Sequence, residues 1–192
     1  MIWIVRNGLK VDLNRNSSYW NRILLYKGVT MMGLIEELTS VRVELVDRIH
    51  SLSDEQLNKK PDDDTWSIVQ VVRHLLFIDE FMYPALLKAM QRDAKLVEEK
   101  SIDFVKDRSR KLKSPYPEPS TDFISKEDML KAVQTSREPL IDFLHSVSEH
   151  ELMKKTMMHP LLGVMQSKQV LEFVALHEKR HIEQIEELIK RP

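Results

Sequence analysis

Apolar residues recur along most of this chain at spacings of three and four, the period of an α-helix seen from one side. From Met32 onward the seam Leu34, Leu38, Val41, Leu45, Ile49 and Leu52 predicts a first long helix. NKKPDDDTWS then breaks the pattern with a proline and a run of acids. A second helix is expected from about Ser67 to about Ala94, with Val71, His74, Ile78, Phe81 and Ala85 along one stripe. Its start is well specified. Ser67 can cap with Gln70, and Trp66 before the cap can pack on Val71. Pro84 lies inside the run and allows a kink.

The next stretch, KDRSRKLKSPYPEPSTDF, is basic and then proline-rich. Its charges read as a solvated loop, with a phosphate or lipid site as the alternative. Ser125 with Asp128 opens a third helix, with Leu130, Val133, Leu140, Leu144 and Val147 facing inward. Pro139 predicts a kink there, or two shorter helices. The connection before it is long enough to cross a bundle, so the second and third helices need not be antiparallel neighbours. The last helix starts at Ser167, and its seam reads Val170, Val174, His177, His181, Ile185, Leu188. Glu178, Lys179, Glu183, Glu186 and Glu187 lie largely off that seam. No repeat and no strand candidate of any length stands out. The expected fold is all-α: a four-helix bundle with a long crossover connection between helices two and three.

Residues 1–30 carry no sustained pattern and are expected to be a poorly structured extension, with residues 31–192 forming the single domain. Lys27-Gly-Val-Thr-Met31 can be encoded by a purine-rich ribosome-binding sequence just ahead of an ATG. Translation is therefore expected to start at Met31 or Met32; a genuine disordered arm is the alternative. N-terminal sequencing of the native protein decides between them.

Composition narrows the function classes. A formal net charge of −1 gives no field that would recruit nucleic acid or an anionic membrane. The absence of cysteine removes disulfides, thiolate ligands and a Cys nucleophile together, and fits a cytoplasmic protein. No apolar run approaches the roughly 18 residues of a membrane span. The apolar part of MIWIVRNGLK is too short for a signal peptide.

The chemistry lies in HEKRH, His177 to His181, which satisfies the zinc-protease pattern H-E-x-x-H. Both histidines fall on the apolar seam, where an unsatisfied polar group costs about 1–3 kcal/mol. A shared metal would satisfy both. His74, inward on a different helix, is the best third ligand; core histidines bonded to carboxylates or backbone are the alternative. A protease is disfavoured, because the residues after His181 contain neither glycine nor histidine and no edge strand is available to hold a peptide. Glu178 sits about 100° around the helix from His177 and can be plain surface charge. His50, His145 and His150 sit near helix ends, and His159 lies in a loop that could reach the pocket mouth.

Three segments, WSIVQVVRHL, HPLLGV and LEFVALHEKRHIEQIEEL, resemble in order and spacing the motifs of the DinB/YfiT-like superfamily of metal-dependent four-helix bundles. They place Trp66, Ser67, His74 and Leu75 on the first motif, His159, Pro160 and Gly163 on the second, and His177, His181, Gln184 and Ile185 on the third. The resemblance implies that His74, His177 and His181 bind a divalent metal, zinc or nickel first, iron or manganese otherwise. The position after the first histidine of the last motif varies in the family, which supports reading Glu178 as incidental. Some members resemble S-transferases using thiols such as bacillithiol, and many are presumed hydrolases. For this chain the expectation is a bacterial enzyme with a small-molecule substrate. It would transfer a low-molecular-weight thiol to an electrophile, or hydrolyse a substrate with metal-activated water. The loops 54–66 and 149–166 would line the entrance. Glu178, or Asp79, would be the catalytic base. The alternative is a non-catalytic metal- or ligand-binding bundle of a stress response. An apolar flank on helix one or three would allow a homodimer.

Overall fold

In the computed structural model, which describes residues 3–6, 9–12, 32–109 and 114–191, the helices that start at Asp54, Ile68, Lys126 and Glu149 each follow directly on a capping serine. The chain divides into two compact units, Met1–Thr30 and Met31–Pro192. In the first, β1 (Trp3–Arg6) and β2 (Leu9–Asp12) pair antiparallel, with Ile4 opposite Val11. The expectation of poor structure for residues 1–30 otherwise falls outside the described residues.

The second unit holds four bundle helices. The first is α1 (Met32–His50), whose seam from Leu34 to Ile49 is buried as expected. A short α2 (Asp54–Asn58), capped by Ser53, occupies part of the stretch expected to be irregular. The second bundle helix is α3 (Ile68–Met90). Ser67 caps it, accepting from Gln70 N while the Gln70 side chain accepts from Ser67 N. The helix runs unbroken through Pro84 and ends four residues before the predicted limit.

The third bundle element is divided, as Pro139 predicted. α4 (Lys126–Ser136) opens on the Ser125 cap, and α5 (Glu138–Leu144) resumes with Pro139 in its first turn, where no N–H is needed. α6 (Glu149–Lys154) then leads into β3 (Thr156–His159) and β4 (Gly163–Gln166), and α7 (Ser167–Ile189) closes the bundle. α1 packs on α7 and α4, and α3 packs on α7, α4 and α5. Thus α1 and α3 lie across the bundle from one another. The predicted crossover joins α3 to α4 and contains a 3-10 turn, Asp103–Lys106, laid against α7.

The hairpin β3–β4 corrects the expectation of no strands. His159 pairs with Gly163 and Thr156 with Gln166, and residues 160–162 turn the chain. Gly163 takes φ +70, the left-handed position that closes a three-residue loop. Four residues per strand are too few for a period of two to show against helical neighbours.

A second correction concerns the seams themselves. On α3 the most buried line is Leu75, Asp79, Met82, Leu86 and Ala89, and on α7 it is Leu171, Ala175, Glu178, Ile182 and Ile185. Apart from Ile185, which belongs to both lines, the stripes picked from the sequence lie one step around each helix. On α3 that stripe includes Phe81, which is 52% exposed. A cavity is lined from α3 by His74, Ile78 and Phe81 and from α7 by Val170, Val174, His177, His181 and Leu188, whereas Val71, Ala85 and Ile185 of the same stripes do not line it.

Candidate metal centre

The cavity has a volume of about 520 Å³ and lies between α3, α7, the β3–β4 hairpin and the crossover. Segments 64–66 and 157–161 line it, within the two stretches expected at the entrance, and the crossover adds Val105, Arg108 and Tyr116. Its volume suits a small molecule. In the basic run of the crossover Lys106, Asp107 and Ser109 are exposed as expected, Arg108 pairs with Glu187 at 2.5 Å, and residues 110–113 lie outside the described residues.

His74 from α3 meets His177 and His181 from α7 at the wall of this cavity. One turn of helix separates the last two, so both imidazoles leave α7 on the same face. Their Nε2 atoms lie 3.1 Å apart, and His74 Nε2 lies 3.3 Å from His177 Nε2. All three offer a ligand atom within 4.8 Å of the others. Imidazole nitrogens bound at about 2.0–2.1 Å around a tetrahedral ion stand about 3.3–3.4 Å apart, close to this spacing. Among the described residues no carboxylate meets these nitrogens, so the hydrogen-bonded alternative for His74, His177 and His181 finds no acidic partner.

The protonation states favour ligation. Burial pushes His74 down to about 4. Burial, reinforced by His74, takes His181 down to about 3 against the opposing bond to Gln184. His177 falls well below its ordinary value through burial and the nearness of His181 and His74. At neutral pH all three are neutral, the form that binds a metal. His181 Nδ1 lies 2.8 Å from Gln184 Oε1, an acceptor, so Nδ1 carries the proton and the Nε2 lone pair is free. Trp66, expected to pack on Val71, stands with its ring 5.6 Å from that of His74.

Glu178 is not where the sequence reading placed it. It is fully buried, outside the cavity lining, and paired with two arginines. Arg137 Nη1 lies 2.6 Å from its Oε2. Arg42 Nε lies 2.9 Å from its Oε1, close as charges although misaligned for a hydrogen bond. Asp79 completes the group, 2.6 Å from Arg42 Nη2 and 2.6 Å from Arg137 Nη2, and accepts from Ser136 Oγ at 2.7 Å. Burial alone would raise the Asp79 carboxyl, but Arg137 and Arg42 outweigh it and hold it below the usual carboxylate range. A carboxylate shared by two guanidinium groups is not a free base. Both acids expected to serve as the catalytic base are therefore committed elsewhere.

The quartet has one member from each of α1, α3 and α7, with Arg137 at the α4–α5 junction. Sequence reasoning missed it, although Arg42 falls in register with Leu38, Leu45 and Ile49, where a charge needs a partner. His159 is also relocated. It ends β3, is buried rather than in a loop, and lines the cavity with its ring 4.3 Å from that of Phe173. His50, His145 and His150 are exposed near helix ends, as expected.

A four-helix bundle with three histidines on one cavity wall defines the class. The chain belongs to the DinB superfamily, whose match covers residues 37–185. It is 36% identical over 150 residues to the uncharacterized protein YuaE of Bacillus subtilis, covering 77% of this chain and 91% of that one. Its fold is similar to that of Bacillus subtilis YfiT, with a TM-score of 0.61 and 17% identity over 86% of this chain and 91% of the other. YfiT is described as a probable metal-dependent hydrolase with an unusual four-helix bundle topology. Among the described residues no helix is long and apolar enough to cross a membrane.

Proposed function

We propose that this protein is a divalent-metal-dependent enzyme that directs a small nucleophile, water or a low-molecular-weight thiol, onto a small electrophile held in the cavity. The observation that carries this reading is the convergence of three neutral imidazole nitrogens at the wall of a substrate-sized cavity. A divalent ion bound there would supply Lewis acidity and lower the pKa of water or a thiol toward neutrality. The all-imidazole donor set suits zinc or nickel, and admits iron.

The chain's own residues then have distinct tasks. Gln184 holds His181 in the ligating tautomer. Ile78, Phe173 and Val174 give the cavity apolar walls that exclude water from the reacting groups. With no cysteine in the chain, a thiol nucleophile would have to enter as a cosubstrate. The description of the structural neighbour YfiT supports the hydrolytic form.

The test is elemental analysis of the purified protein beside its His177→Ala variant, followed by turnover of ester and bacillithiol-plus-electrophile substrates. The reading expects about one ion per chain in the parent and little in the variant. Activity should vanish with chelator and return with metal, with the helical fold kept in the metal-free protein. Absence of metal from both proteins after reconstitution would sink the proposal. Metal without turnover would leave a binding protein.

A further inference from the structure

Two histidines in this cavity have opposite tautomers. His181 donates from Nδ1 to Gln184 Oε1 and leaves Nε2 as a lone pair. His159 does the reverse. Its Nδ1 accepts from the backbone N–H groups of Leu161 at 3.2 Å and Leu162 at 3.1 Å, the two amides that turn the β3–β4 loop. A neutral imidazole whose Nδ1 accepts must carry its proton on Nε2.

Burial, with Lys100 nearby, lowers the His159 pKa and keeps the ring neutral. Among the described residues nothing accepts from Nε2–H, and the ring lines the cavity. His159 therefore cannot serve as a fourth ligand through Nε2, because that nitrogen has no free lone pair. It is a fixed hydrogen-bond donor in the same cavity as the three ligating nitrogens. The turn geometry explains its rigidity: His159, Pro160 and the left-handed Gly163 set the loop, and the loop amides set the ring.

We infer that His159 is a substrate-positioning residue whose Nε2–H holds an acceptor oxygen, a carboxylate or carbonyl, of a small and otherwise largely apolar substrate. The rest of the wall agrees with that class. Phe81, Val170 and Phe173 supply apolar surface, and the Tyr116 hydroxyl adds a second donor. The inference rests on reading this cavity as the substrate site, but it concerns a different residue from the metal ligands and can fail separately.

The experiment uses the zinc-loaded, histidine-labelled full chain and phenylacetate as the probe, with toluene as the apolar control. Nitrogen NMR should find the proton of His159 on Nε2 and that of His181 on Nδ1. Phenylacetate should shift the His159 Nε2–H resonance, and toluene should leave it in place. His159→Phe should bind phenylacetate about tenfold more weakly at unchanged zinc content, and His159→Gln, which restores a donor amide near that position, should recover most of the loss. A proton on Nδ1, no response of His159 to phenylacetate, or equal binding by His159→Phe with zinc retained would overturn the inference and leave the metal reading intact. A parent that takes up no zinc would overturn the metal reading, while the tautomer and the phenylacetate response, measured in that same protein, would still decide the role of His159.

Discussion

His177 and Glu178 are consecutive in sequence and face different interiors. His177 Nε2 lies 3.3 Å from His74 Nε2 at the cavity wall, whereas Glu178 is enclosed between Arg42 and Arg137. About 100° of helix rotation separates adjacent residues, enough to send one side chain to the site and the next to the bundle axis. The ion pairs of Glu178 thus hold the rotation of α7 that aims His177 and His181 at His74.

Glu178→Ala should therefore be strongly destabilising. It leaves two buried guanidinium groups sharing Asp79 alone, an imbalance worth about 3–5 kcal/mol in comparable buried pairs. Urea unfolding of parent and variant checks this, and a loss under about 1 kcal/mol would show that water reaches the quartet.

Removing the whole quartet should behave differently. With Arg42→Met, Asp79→Leu, Arg137→Met and Glu178→Leu combined, no charge is stranded, and the expected change is neutral or stabilising by up to about 4 kcal/mol. If this variant instead loses its single folded state by NMR, the ion pairs specify helix register and do more than balance one another.

The histidine triad predicts how the metal-free protein responds to acid. Folded values of about 4 for His74 and about 3 for His181 lie below the ordinary value of 6.5, so the unfolded chain binds protons first as pH falls. Stability from these groups is intact above about pH 6.5 and declines toward pH 4, by up to about 1.4 kcal/mol per pH unit for each histidine. Melting temperature against pH for chelator-treated protein tests the sign. His74→Asn should flatten the slope.

Gln184 should matter to the metal without touching it. Gln184→Ala frees the His181 ring to rotate and to change tautomer, and metal affinity should fall about 10–100-fold. Competition with a zinc-binding dye measures the change. Equal affinity in both proteins would mean that packing alone orients His181.

Gly163→Ala offers a smaller check on the hairpin. An added Cβ would meet nothing nearer than Lys100 Nζ at 3.7 Å, so the cost comes from the positive φ and not from crowding. A loss of about 1–2 kcal/mol is expected in thermal or urea unfolding.

The sequence by itself determined the four bundle helices, the caps at Ser67 and Ser125 and the division at Pro139, because periodicity, capping and proline chemistry are local. The short helices Asp54–Asn58 and Glu149–Lys154 read as loops there. It also determined that His74, His177 and His181 could act together, since a spacing of four puts two histidines on one helix face and an inward stripe offers the third. Which stripe faces the bundle axis was decided only by the tertiary structure. α3 and α7 are each buried on two sides, one against the core and one against the cavity, and an apolar residue satisfies either. The same ambiguity hid the quartet. A charged residue on a seam reads as an exception until the opposing helix supplies its counter-ion, and Arg42 and Glu178 are 136 positions apart in the chain. His159 followed the same rule, because the loop amides that fix its tautomer and the cavity it faces exist only once the hairpin is folded onto α7.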